Sequence, residues 1–246
     1  MPHASNSSSY SFPKRLYSGV ELLLGALLLI GLGTLLTPLM ASASNWWVAG
    51  AFYALISLLV LAFWPHGPLG WANRVTLGRS VLISLVAGAL VGEAFIQAIW
   101  LWLGVAVIAL LLDGVDGWIA RRTRSHSPFG ARFDMELDAL LITLLCIGLI
   151  VEESLGLWVL LIGGMRYLFV AASLPFPWLN EPLNESFRRK AVCVWQVVAL
   201  LLALTPLTSS FLAGLLALSA LMSLVYSFGV DVWWLHRKVD HCKTPH

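Results

Sequence analysis

Two long stretches of this chain contain no Asp, Glu, Lys or Arg: Leu22 to Asn73 and Ala191 to Val230. One membrane-crossing helix needs roughly 20 apolar residues. Both stretches are much longer, and each is interrupted near its middle, by "TPLMASASN" and by "TPLTSS". Each therefore predicts two spanning helices joined by a tight turn. The same reading carried along the chain predicts eight helices, at about Leu16–Met40, Trp46–Trp64, Thr76–Ala94, Ile96–Arg121, Pro128–Val151, Ser154–Leu174, Lys190–Leu207 and Phe211–Trp234. The expected fold class is all-α, a polytopic integral membrane bundle. Two polar connections stand out, "PHGPLGWANR" before the third helix, expected to lie along the interface, and "PFPWLNEPLNESFRRK" before the seventh. Trp46, Trp47, Trp64, Trp71, Trp233 and Trp234 fall near span ends, where indole rings favour the headgroup region.

Composition agrees: 59% of residues are hydrophobic and 11% charged, against about 25% charged in a soluble domain. The net charge of +2 carries no nucleic-acid signal, because topology accounts for the basic residues and no nucleic-acid partner is expected. Lys14, Arg15, Arg74, Arg79, Arg121, Arg122, Arg124, Arg132, Arg188, Arg189, Lys190, Arg237, Lys238 and Lys243 all fall on one side if the even-numbered helices end there. Glu93, Glu152 and Glu153 occupy the opposite turns, and Arg166 alone is read as mid-span. The basic side is cytoplasmic by the positive-inside rule. Both termini are then cytoplasmic, and the expected location is the bacterial inner membrane.

Lys14 and Arg15 before an apolar run ending in "MASAS" imitate a secretion signal. The run exceeds the usual apolar region of such a signal, so an uncleaved first helix is expected. Cys146, Cys193 and Cys242 are odd in number and lack framework spacing. The tail residues His241, Cys242 and His246 read as a solvated terminus rather than a metal site.

The segment "DGVDGWIARRTRSHSPFGARFDMELDAL" breaks the pattern, placing five of the thirteen acidic residues between two uncharged runs. Asp113 and Asp116 are three apart and share a helix face, continued by Gly117, Ala120 and Arg121. Gly130, Asp134 and Asp138 are spaced by four and line a face of the next helix, while Glu136 points elsewhere. A charge in the membrane costs about 2.5–3.5 kcal/mol on insertion scales, and neighbouring carboxylates also repel. Two divalent cations, Mg²⁺ or Mn²⁺, answer both problems through hard oxygen ligands. The competing reading is structural, with the aspartates capping helix ends or pairing with Arg121, Arg122, Arg124 and Arg132. Two metals on carboxylates suit in-line displacement at a phosphate. Arg121 would hold a phosphate oxygen, and the fourth carboxylate would take a proton from an attacking hydroxyl. The small residues leave room for a nucleotide.

Asp113-x-x-Asp116-Gly117-x-x-Ala120-Arg121, eight residues, then Gly130-x-x-x-Asp134-x-x-x-Asp138 resembles the full signature of the CDP-alcohol phosphotransferases, with all eight positions and every gap intact. The upstream "NRVTLGR" is similar to the segment that opens the family's first core helix, here Asn73, Thr76 and Arg79. The resemblance covers roughly Trp71 to Trp234 and implies a six-helix core at 68–238. Two extra helices and a cytoplasmic tail (1–67) precede it, and a cytoplasmic tail (239–246) follows. It implies transfer of a phosphatidyl group from a CDP-linked lipid, usually CDP-diacylglycerol, to a small alcohol in phospholipid biosynthesis, with release of CMP. Asp113, Asp116 and Asp134 would be metal ligands, and Asp138 both a ligand and the general base. Gly117, Ala120, Arg121, Gly130, Asn73 and Thr76 would receive the nucleotide. Family members often form homodimers, which the resemblance extends to this chain.

Arg166 and the basic run Arg188, Arg189 and Lys190 are the candidate acceptor-binding residues. The run is similar to the segment that binds the acceptor's phosphate in members using glycerol 3-phosphate or inositol phosphate. Arg166 has two other readings, a salt bridge to one of the aspartates or snorkelling to the interface. For the run, topology and attraction to anionic headgroups are enough. The rival function is a divalent-cation transporter or channel, since carboxylates within spans also mark ion paths. Against it, the acidic residues cluster at one end of two helices, with no matching polar groups in the outer half.

Overall fold

The computed structural model describes residues 12–64, 70–123, 128–176 and 186–243, with side chains described except at 12–16, 70–72, 116–121, 123, 128, 236 and 238–243. The order is α1 (Phe12–Leu35), α2 (Ala43–Phe63), α3 (Gly70–Ala89), α4 (Ala94–Gln97), α5 (Ile99–Thr123), α6 (Pro128–Val151), α7 (Leu160–Ser173), α8 (Phe187–Ala203) and α9 (Ser210–Lys243). A 3₁₀ turn, Leu157–Val159, leads into α7. Among the described residues there is no strand, and the long helices coincide with the eight that hydropathy predicts. Tyr17–Leu35, Ala43–Phe63 and Ser210–Leu235 are each long and apolar enough to cross a membrane, and Ile99–Val115 and Leu157–Ser173 are shorter apolar stretches.

The helix ends differ from expectation for local reasons. The first helix stops at Leu35 rather than Met40, because Pro38 has no N–H to donate and disfavours helix in the residue before it. A short turn follows, closed by Leu39 N–H donating to Leu36 O at 2.9 Å. The third helix begins at Gly70, six residues before the expected Thr76, so part of the supposed interfacial loop is helical; 65–69 lie outside the described residues. It ends at Ala89 rather than Ala94. Gly92, with φ +70°, turns the chain in a conformation that other residues rarely adopt. The single turn α4 follows before α5. The seventh predicted helix starts at Phe187 behind Ser186 rather than at Lys190. The last runs on to Lys243, well past Trp234, because the end of hydrophobicity is not the end of helix-forming sequence.

The chain forms two compact units, Met1–Asp138 and Ala139–His246. In the first, α3 packs against α1, α2 and α5. Every residue from Arg79 to Leu90 is buried, the pattern of a helix enclosed on all sides. Small residues allow this: Ser80, Ser84, Ala87, Gly88 and Ala89 let neighbouring backbones approach, as between helices in lipid. A Cβ on Gly88 would stand 2.6 Å from the Asn45 carbonyl oxygen and 2.8 Å from the Ala49 Cβ. Asn45 Nδ2 donates to Gly88 O at 2.9 Å and Val91 O at 2.7 Å, while its Oδ1 accepts from Ser42 N–H at 2.9 Å. One amide thus caps the start of α2 and ties it to the end of α3. Tyr53 OH donates to Leu22 O at 2.7 Å, joining α2 to α1. The fully buried Trp102 of α5 donates from Nε1 to Val86 O at 2.9 Å and meets Phe95 edge-to-face. The outer faces of α1 and α2 expose Leu23, Leu27, Leu55 and Leu58, which suits contact with lipid.

In the second unit α8 packs along α9. Arg188 Nη1 donates to Ser227 O at 2.6 Å and Oγ at 2.9 Å, and Nη2 donates to Asp231 Oδ1 at 2.5 Å. Phe169 of α7 meets Phe228 of α9 with ring centroids 5.3 Å apart.

Asn45→Ala removes a donor from two carbonyls and should lower stability by about 1–3 kcal/mol. Gly88→Val should lower it further by forcing α2 from α3. Thermal unfolding in detergent checks both; a Gly88→Val variant as stable as the parent would contradict this packing.

Candidate active site

The acidic segment folds as the end of α5 and the start of α6, two helices that meet α3. Asp113 is on α5, and Asp134 and Asp138 lie one turn apart on α6, as the four-residue spacing requires. One oxygen from each of these three carboxylates lies within 4.8 Å of the others. The two aspartate-bearing faces do meet. Asp116, Gly117, Ala120 and Arg121 fall on α5, but their side chains lie outside the described residues. Gly130 is half-buried at the start of α6, and Asn73 and Thr76 are buried one turn apart on α3.

At the centre of the three carboxylates is a residue that the sequence reading counted only as a cytoplasmic base and a motif position. Arg79, in the interior of α3, has no exposed surface. Its Nη1 donates to Asp113 Oδ1 at 2.7 Å and to Asp134 Oδ1 at 2.6 Å, and its Nη2 donates to Asp138 Oδ1. Its Nε is buried without a hydrogen-bond partner. So Arg166 is not the sole charged base within a helix span, and Arg79 is the arginine that these three aspartates share. A signal was present: Arg79 interrupts an otherwise uncharged run from Val75 to Gly92, and an intramembrane arginine is a functional candidate by default.

A buried guanidinium is tolerated only when paired and hydrogen-bonded. Three carboxylates supply that. Their all-oxygen donor set suits a divalent cation. An octahedral ion with bonds of about 2.1 Å holds its donor oxygens roughly 3–4 Å apart, a spacing the three carboxylates reach with at most a small contraction. The donor set therefore fits Mg²⁺ or Mn²⁺.

Arg166 is half-buried on α7, and Arg188, Arg189 and Lys190 begin α8, all in the second unit. Arg188 is held by Ser227 and Asp231, a tie across α8 and α9 that gives it a structural task.

The family model for the CDP-alcohol phosphatidyltransferases matches residues 69–228. The chain belongs to that family. The matched region begins after α1 and α2. The human ethanolaminephosphotransferase 1 is similar at 49% identity over 43 residues, covering 16% of this chain and 11% of that protein. This chain thus spans only a small part of that relative's length. No solved structure matches.

Each aspartate supports Arg79 as well as any ion. Asp134→Asn should therefore reduce stability by about 1–3 kcal/mol even with EDTA present. Chemical denaturation in detergent checks this, and an unchanged midpoint would show that the tie contributes nothing.

Proposed function

We propose that the chain moves a phosphatidyl group from CDP-diacylglycerol to the hydroxyl of a small polar alcohol, releasing CMP, on the cytoplasmic side of the membrane. The observation that carries this reading is the convergence of Asp113, Asp134 and Asp138 from two helices, within a segment that keeps the whole family signature. Asp113, Asp116 and Asp134, together with Asp138, would hold two divalent ions. When bound, those ions supply positive charge that steadies the phosphates during displacement.

The chain's own residues then have separable tasks. Asp138 takes the proton of the acceptor hydroxyl. As the acceptor oxygen bonds to the phosphatidyl phosphorus, the bond from that phosphorus to CMP breaks. Asp138 is oriented for this task by its charge-assisted hydrogen bond from Arg79. Gly117, Ala120 and Gly130 leave space for the nucleotide, Asn73 and Thr76 offer it polar groups, and Arg121 neutralises its phosphate charge. Arg166, Arg188, Arg189 and Lys190 would attract an anionic acceptor such as glycerol 3-phosphate, Arg188 being held by Asp231.

The 43-residue similarity favours a second reading, in which ethanolamine phosphate is the group transferred. In that case CDP carries the small alcohol and the acceptor is a lipid hydroxyl.

With CDP-diacylglycerol and Mg²⁺ or Mn²⁺, the purified protein should release CMP only when a suitable alcohol is present, and EDTA should stop it. Asp138→Asn should reduce turnover by at least about a hundredfold and, like Asp134→Asn, lower stability by about 1–3 kcal/mol; parent-like turnover would remove Asp138 as the base. Glycerol 3-phosphate, inositol phosphate, inositol, serine and choline serve as the acceptor panel. If the acceptor is anionic, Lys190→Ala should raise its KM with kcat nearly unchanged, whereas use of uncharged alcohols alone would exclude an anion pocket. CMP release from CDP-ethanolamine with diacylglycerol, and none from CDP-diacylglycerol, would favour the second reading.

A further inference from the structure

Arg79 does more than balance charge, because of where its nitrogens lie. Among the described residues it is the one cation with no exposed surface. It reaches three carboxylates on two helices: Nη1 spans Asp113 of α5 and Asp134 of α6 at 2.7 and 2.6 Å, and Nη2 takes Asp138. A single nitrogen thus sits between two carboxylates from different helices. The same three residues form the oxygen cluster fit to hold such an ion. Two cations on shared carboxylates repel across a short distance in a medium of low dielectric. The guanidinium cannot retreat into water, since α3 is enclosed around it from Arg79 to Leu90.

Resting on the divalent-ion reading of this site, we propose that Arg79 is the internal cation of the cluster. It holds Asp113, Asp134 and Asp138 together when ions leave, and when ions enter its Nη1 gives up hydrogen bonds to Asp113 and Asp134 while Nη2 keeps Asp138. Ion uptake is therefore an exchange of cations on one set of carboxylates. Arg79 is a positioning residue that sets the affinity of the site for divalent ions and keeps α5 and α6 from separating under their own repulsion.

The test uses the full chain in detergent without nucleotide or lipid substrate. Mn²⁺ binding is read from the paramagnetic resonance signal of the free ion, and thermal unfolding is measured in EDTA and in saturating Mn²⁺. Arg79→Gln removes the competing charge and should bind Mn²⁺ at least about tenfold more tightly than the parent. Its midpoint should fall by several degrees in EDTA and recover in Mn²⁺, because an ion that binds only the folded state stabilises it. Arg79→Lys keeps the charge but cannot span three carboxylates, so its Mn²⁺ affinity should lie between the two. Should Arg79→Gln not fold, the Arg79→Lys comparison decides in the same way. Parent and variants binding Mn²⁺ equally, or variants binding it more weakly, would overturn the exchange and leave the divalent-ion reading standing. An absence of Mn²⁺ binding by parent and variants alike would overturn both.

Discussion

A guanidinium in a neutral helical bundle, surrounded by three carboxylates from two other helices, is the interaction on which this structure turns. An unpaired charge at that depth would oppose insertion and folding. Arg79 and its aspartates instead make each other tolerable, and in doing so fix α3 against α5 and α6.

The first two helices gain a physical role from the same constraint, although the family match begins only at residue 69. A site built on α3 requires α3 to hold still. Asn45 grips its far end through Gly88 and Val91, Glu21 pairs with Arg74 near its beginning at 2.7 Å, and Tyr53 ties α2 to α1. These contacts use hydrogen bonds and close backbone approach, because hydrophobic burial gives little preference for one helix neighbour over another in lipid.

Family membership and geometry bear on different questions. The family match places the chain among the CDP-alcohol phosphatidyltransferases, while the packing of α5 and α6 brings Asp113, Asp134 and Asp138 together. In the second unit, the Arg188 guanidinium is engaged by Ser227 and Asp231, forty or so positions along the chain.

Helix number and the pairing of aspartate faces were legible along the chain, because hydropathy and three- and four-residue spacings are local properties. Asp134 and Asp138 share a face whatever surrounds them, and a charge-free run long enough for two spans must fold back. The ends of the helices were less legible: Gly92 and Pro38 mark the breaks, but how far α9 continues past its apolar part depends on no single residue. Arg79 required the tertiary structure. Nothing between Arg79 and Asp113, or between Arg79 and Asp138, encodes their meeting, since that contact depends on three helices packing around small residues. Order along the chain therefore determined which groups could act together on one helix, and packing across helices decided which cation they share.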